Sequence, residues 1–184
     1  MKIILGKNNK IIINYEIKSL GIPNYKMWMP FLDIEGQLTI LICDNIFFEE
    51  TQFFTLCEFA YHLNQWLKLV KKNNQDFHYN PLDVDDDIDL FHFKYIEDKN
   101  SWKIFSSWQK FDSEILFDLD EIFNPFNQYV EKFIQELKQT YHLEITKILN
   151  DKVSNYCTFK LNSYQRRKIL ELHEIFADKI KPLY

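Results

Sequence analysis

The run Asp83-Val84-Asp85-Asp86-Asp87-Ile88-Asp89 gathers five carboxylates, the hard oxygen ligands that divalent cations prefer. Asp83, Asp85 and Asp87 fall at positions 1, 3 and 5 of a calcium loop, but position 6 is Ile88 and position 12 is Lys94. A calcium loop needs a glycine at the first of these to turn and a bidentate glutamate at the second, so the run does not predict a calcium site. Asp89 followed by Glu97, Asp98 and Lys99 has the D then E-x-K order of metal-dependent nucleases. In that chemistry the acids hold a metal that activates water, and the lysine steadies developing phosphate charge. This gives one alternative reading, a nuclease-like hydrolase built on Asp89, Glu97 and Lys99. It demands that glutamate and lysine share a strand face, whereas here they straddle an expected hairpin turn.

His62, His78, His92, His142 and His173 are scattered, and no pair has the spacing of a local metal motif. Each reads as a structural histidine, and Glu58 with His62, one helical turn apart, as helix-surface coupling. Cys43, Cys57 and Cys157 are an odd number with no CxxC, so neither a disulfide framework nor a thiolate zinc site is predicted. The three glycines, Gly6, Gly21 and Gly36, cannot compose a P-loop, a dinucleotide fingerprint or a nucleophile elbow. No cofactor and no catalytic residue is predicted, and the expectation is a protein that is not an enzyme.

Binding is the better use of these residues. The formal charge is −5 over 184 residues, yet residues 1–130 hold 20 acids against 12 bases, and residues 131–184 hold 7 against 10. Negative potential concentrates over residues 81–98 and 111–121, which together carry 12 acids and one lysine. Such a surface repels phosphate backbones and steers in a basic protein. Aromatic residues make up 17% of the chain, including four tryptophans, more than a core of this size ordinarily holds. Large rigid rings beside an acidic rim are the composition of a binding hot spot. Trp102 and Trp108, six residues apart on an expected strand, should share one face with Ile104 and Ser106. The candidate partner-binding residues are therefore Asp83, Asp85, Asp86, Asp87, Asp89, Trp102, Trp108, Asp118 and Asp120. The plainer reading is a phenylalanine-rich core with acidic loops that keep it soluble. Arg166, Arg167 and Lys168 read as a solvated helix face.

These residues need a scaffold. Alternation predicts strands at 10–19, 26–34, 37–43 and 45–54, with turns at Glu35-Gly36 and Asp44-Asn45. Thr55-x-x-Glu58 has the form of a capping box, opening a helix over 55–72 with Leu56, Ala60, Leu63, Leu67 and Val70 on one face. Short strands follow at 76–80, 88–96, 102–108 and 114–119, the middle pair joined by a turn at Asp98 to Asn100. Asn124 reads as a cap with Pro125 at the first helical position, predicting a helix over 124–149. A last helix is expected over 163–180, with 150–184 as a C-terminal helical extension of a single domain, 1–184. Strand runs precede helices rather than alternating with them, so the expected class is α+β: an antiparallel sheet of six to eight strands with three packed helices. No apolar run approaches the roughly 18 residues of a membrane span, and the polar opening lacks a signal-peptide core; the expected location is the cytoplasm, with no membrane partner.

Taken in order, Trp28 to Asp33, Gly36, Thr55 to Glu58 running into Asn64 to Leu67, Asp89 to Phe91, and Trp102 to Trp108 resemble small bacterial immunity proteins of the WapI-like type. The likeness spans about residues 26–140, and the chain departs from it in its more aromatic strands and in its extra C-terminal residues. It implies an antitoxin-like role in bacterial competition: a protein that binds a cognate toxin and blocks it, and the acidic charge independently favours a basic toxin. Its motifs mark fold, so it implies no site residues. A homo-oligomeric protein that buries its surplus aromatics against a second copy is the remaining alternative.

Overall fold

Where apolar residues alternate, the chain extends, and where they recur every third or fourth residue, it coils. A computed structural model describes residues 2–3, 10–21, 27–81, 89–146, 149, 159–160, 167 and 169–171. In chain order its elements are β1 (Lys2–Ile3), β2 (Ile11–Ser19), β3 (Met27–Trp28), α1 (Pro30–Asp33), β4 (Glu35–Ile42), β5 (Asn45–Thr55), α2 (Leu56–Asn73), β6 (Phe77–Tyr79), β7 (Phe91–Ile96), a 3₁₀ turn (Glu97–Lys99), β8 (Ser101–Ser106), α3 (Leu119–Thr140) and β9 (Phe159–Lys160). The class is α+β. The strands are antiparallel, as expected, but divide into two sheets of three, β2-β4-β5 and β6-β7-β8. The two-residue β1 extends the first sheet beside β2, and β3 pairs with β9 in a separate two-stranded sheet.

Ile11, Ile13, Tyr15 and Ile17 of β2, with Leu38, Ile40 and Ile42 of β4, turn a buried face inward. Phe91 and Phe93 of β7 and Trp102 and Ile104 of β8 do the same from the second sheet. The apolar faces of α2 and α3 join both sets into one core. Phe59 of α2 sits at its middle, with ring centroids 5.1 Å from Phe91, 5.7 Å from Tyr129 and 6.5 Å from Phe126. The Tyr129 hydroxyl donates to the Leu56 carbonyl at 2.9 Å, tying α3 to the first turn of α2. This is where much of the 17% aromatic content goes.

Several local expectations change. Residues 26–34 are not one strand: β3 is followed by α1, which starts on Pro30, whose ring presets a helical φ. The Asp33 carboxylate accepts the Met29 amide at 2.6 Å and closes that turn. Glu35 and Gly36 lie inside β4 rather than in a turn, Gly36 facing Ile17 on one side and Phe54 on the other. Helix α2 begins where expected, but Thr55 makes no side-chain cap bond. Its hydroxyl instead donates to Glu58 Oε2 at 3.1 Å and lies 2.9 Å from the Tyr79 hydroxyl.

The second long helix starts at Asp118, not Asn124. Asp118 Oδ1 accepts the Glu121 amide at 2.7 Å, and Glu121 Oε2 accepts the Asp118 amide at 3.0 Å, a complete capping box. Pro125 therefore lies inside α3, where its missing N–H forgoes one bond to the Glu121 carbonyl. The helix ends at Thr140 rather than 149: His142 is left-handed, and the Leu143 amide returns to the Leu137 carbonyl at 2.9 Å. The strand expected at 114–119 reduces to one bridge between Phe117 and Trp102. Of the helix expected at 163–180, Arg167 and Ile169 to Glu171 are helical, and the rest lies outside the described residues.

Candidate functional site

Strand β5 does not run evenly against β4. Glu50 pairs with Leu38 and Phe54 with Gly36, so Thr51, Gln52 and Phe53 oppose Gln37 alone and bulge from the sheet. The bulge leaves amides without ladder partners, and Glu50 supplies one: its Oε1 accepts from Gln52 at 2.9 Å and Phe53 at 3.4 Å. Phe53 is thereby held outward, 68% exposed. It stands between two open hollows, one of about 280 Å³ shared with Lys18, Ser19 and Gln52, the other of about 150 Å³ shared with Glu50, Pro81, Leu90 and Trp108.

Trp108 reaches the second hollow from the turn after β8. The Ser106 hydroxyl accepts the Trp108 amide at 3.2 Å, and Gln109 Oε1 accepts the Ser106 amide at 3.0 Å. The indole lies parallel to Phe48 at 6.3 Å and remains 47% exposed. One hollow thus is lined by two exposed rings, Phe53 and Trp108, together with Glu50.

A second cluster forms on the outward face of β6 and β7. His78 and His92 are cross-strand partners, and their rings stack at 4.2 Å. Asp89 Oδ2 lies 2.7 Å from His78 Nδ1. Asp76 anchors through Oδ1, which accepts the Tyr95 amide at 2.8 Å, and turns Oδ2 toward His92 Nε2 at 3.5 Å. Asp76, His78 and His92 each offer one ligand atom, all within 4.8 Å of one another. His62 stands apart, on α2 against the Tyr79 ring, and burial pushes its imidazole below the ordinary pKa.

The residues singled out in the sequence scatter. Asp83, Asp85, Asp86 and Asp87 lie outside the described residues, as does the calcium-loop spacing they carry. Asp89 is the partner of His78. Trp102 and Trp108 do not share a face: β8 ends at Ser106, so Trp108 follows a turn while Trp102 points inward, 1% exposed, against Trp66 at 5.7 Å and Tyr95 at 5.2 Å. Trp102 is therefore a core residue with no surface to offer a partner. Asp118 is the α3 cap, and Asp120 is exposed in its first turn. Asp89 and Glu97 lie beyond opposite ends of the six-residue β7, a rise of about 20 Å at 3.3 Å per residue, too far to hold one metal ion together.

Two groups were missed. Phe53 read as an ordinary strand residue, because a bulge depends on pairing that alternation does not reveal. Asp76, His78 and His92 were separated by a long connection, and only strand register joins them. No helix among the described residues is long and apolar enough to cross a membrane. No curated protein and no solved structure matches the chain. The stretch from β2 through α3, which carries both the hollow and the histidine cluster, is nonetheless a recognised unit: over residues 13–139 the chain belongs to the family described as Domain of unknown function (DUF7878).

Proposed function

We propose that this is a non-enzymatic binding protein of the immunity kind, which docks and neutralises a basic protein toxin at the Phe53–Trp108 surface. The observation that carries the reading is the presence of two large aromatic side chains, 68% and 47% exposed, lining one hollow. Two exposed rings lining the same hollow form a local apolar feature of the sort found at interaction sites, and aromatic anchors in a hollow dominate binding energy at interfaces. The excess of acids over bases in residues 1–130 supports a cationic partner. The likeness to WapI-like immunity proteins supports the class.

The contact set shifts accordingly. Phe53, Trp108 and Glu50 form its centre, and Asp120 belongs to the exposed acidic surface that would steer the encounter. The test captures partners with the full chain, identifies the bound polypeptide, and titrates it against wild type and Phe53→Ser/Trp108→Ser. The expected partner is basic, toxic to its host when expressed alone, harmless when co-expressed, and bound at least about 100-fold more weakly by the double variant. A second copy of this chain as the sole partner, confirmed by light scattering, would replace the reading with a homo-oligomer. Unchanged affinity in the double variant would overturn the surface.

A further inference from the structure

We infer that Asp76, His78 and His92 form a site for a borderline divalent transition metal, Zn²⁺ being the best fit, with Asp89 orienting His78 from behind. The ligand chemistry is two imidazoles and one carboxylate, a set suited to zinc and its neighbours rather than to magnesium or calcium, which take oxygen ligands.

Three geometric features agree with this. Asp89 Oδ2 lies 2.7 Å from His78 Nδ1, and a carboxylate can only accept, so Nδ1 carries the proton and the neutral ring keeps its lone pair on Nε2. A carboxylate–histidine pair of this sort is the arrangement that fixes tautomer and orientation in metal sites. Asp76 Oδ2 and His92 Nε2 stand 3.5 Å apart, long for a charged hydrogen bond. Two ligands at about 2.0–2.1 Å in a tetrahedron stand roughly 3.3–3.4 Å apart, so this pair already spans one tetrahedral edge. Finally, one ligand atom from each of Asp76, His78 and His92 lies within 4.8 Å of the others; because imidazole lone pairs lie in the ring plane, metal binding requires the rings stacked at 4.2 Å to swing until both nitrogens point at one ion.

The elements hold the ligands firmly. His78 and His92 are register partners across β6 and β7, and Asp76, one residue before β6, is bonded to the Tyr95 amide of β7. A metal here would clip the three-residue edge strand β6 to its neighbour. With three protein ligands, a fourth position faces outward for water.

The test uses the tag-free full-length chain in equilibrium dialysis and calorimetry against zinc chloride, with magnesium chloride as the comparison. One zinc per chain at micromolar affinity is expected, with no magnesium uptake. His78→Ala and His92→Ala should each weaken zinc binding by more than about 10-fold, and Asp89→Asn by about 10- to 100-fold. His142→Ala, an exposed histidine elsewhere, should leave affinity unchanged, as should Cys43→Ser, which removes an exposed thiol. Because the histidines face outward, circular dichroism should show the fold intact. A wild-type zinc titration followed by imidazole NMR should move the His78 and His92 signals together. Zinc retained by both histidine variants, loss on Cys43→Ser instead, equal magnesium binding, or no uptake at millimolar zinc would each overturn the site.

Discussion

The Tyr15 hydroxyl donates to Glu136 Oε2 at 2.9 Å, a polar tie between β2 and α3. The ring packs edge-on against Tyr129 at 5.3 Å and Phe133 at 5.9 Å, so burial, then the Glu136 carboxylate, hold the phenol neutral well above its ordinary pKa of 10.0. Burial with Glu136 and Glu16 pushes Tyr141 up to about 12, and burial raises Tyr129 as well. The sign follows from proton counting. Above about pH 10 the unfolded chain releases phenolic protons that the folded chain keeps, so unfolding is favoured as pH rises.

Stability should therefore be nearly flat from about pH 7 to 10 and fall steadily toward pH 12. Urea midpoints measured from pH 7 to 11.5 check this. Tyr15→Phe keeps the ring packing, costs about 1–2 kcal/mol at neutral pH, and should make the alkaline fall shallower. An equally steep fall in Tyr15→Phe and Tyr141→Phe would mean other groups drive it.

Asp118 offers a second test, because an exposed carboxylate can cap a helix or meet a partner. Its bonds with Glu121 assign it to the helix. Asp118→Ala should lower unfolding free energy by about 1 kcal/mol, read by denaturant melts, and leave partner affinity at high salt unchanged. Asp120→Asn, which removes a charge from the same turn without touching the cap, should change stability by less than about 0.5 kcal/mol. A stability loss in Asp120→Asn equal to that of Asp118→Ala would point to helix-dipole effects rather than the capping box.

Gly36 separates a packing requirement from a turn requirement. It sits in β4 between Ile17 and Phe54, and a Cβ there would collide with the Glu16 carbonyl oxygen and come 2.8 Å from Leu56 Cδ1. Backbone cannot yield as a side chain can, so Gly36→Ala should destabilise by about 3 kcal/mol or more. Thermal melts would show it directly; a variant as stable as wild type would mean the strands separate there at little cost.

Elements that announce themselves by internal periodicity were legible: the alternation of Ile11, Ile13, Tyr15 and Ile17, and the helical spacing from Leu56 to Val70. What the sequence left open depends on partners rather than periods. Asn124-Pro125 and Asp118-x-x-Glu121 are both helix-start signals, and the second prevails because its two bonds are reciprocal while Pro125 forgoes only one. Alternation tells a strand which face is apolar but not which strand lies beside it, so the division into two sheets and the bulge at Thr51 to Phe53 were hidden. For the same reason His78 and His92 looked unrelated until register paired them.

Trp102 and Trp108 put the distinction between core and contact to the sharpest test. Trp102 is 1% exposed beneath the second sheet, whereas Trp108 is 47% exposed above Phe48. Trp102→Ala should open a cavity and cost about 3–5 kcal/mol, enough to leave much of a marginally stable chain unfolded. Phe53→Ser touches only the bulge and should fall within about 0.5 kcal/mol of wild type. Trp108→Ser should cost more than Phe53→Ser, since half its ring leaves Phe48, but far less than Trp102→Ala. Denaturant melts rank the three, and partner titration should rank Phe53 and Trp108 the other way, as large affinity losses in folded protein. Equal loss of stability and affinity in every variant would mean that the rings serve only the core and that the docking surface lies elsewhere.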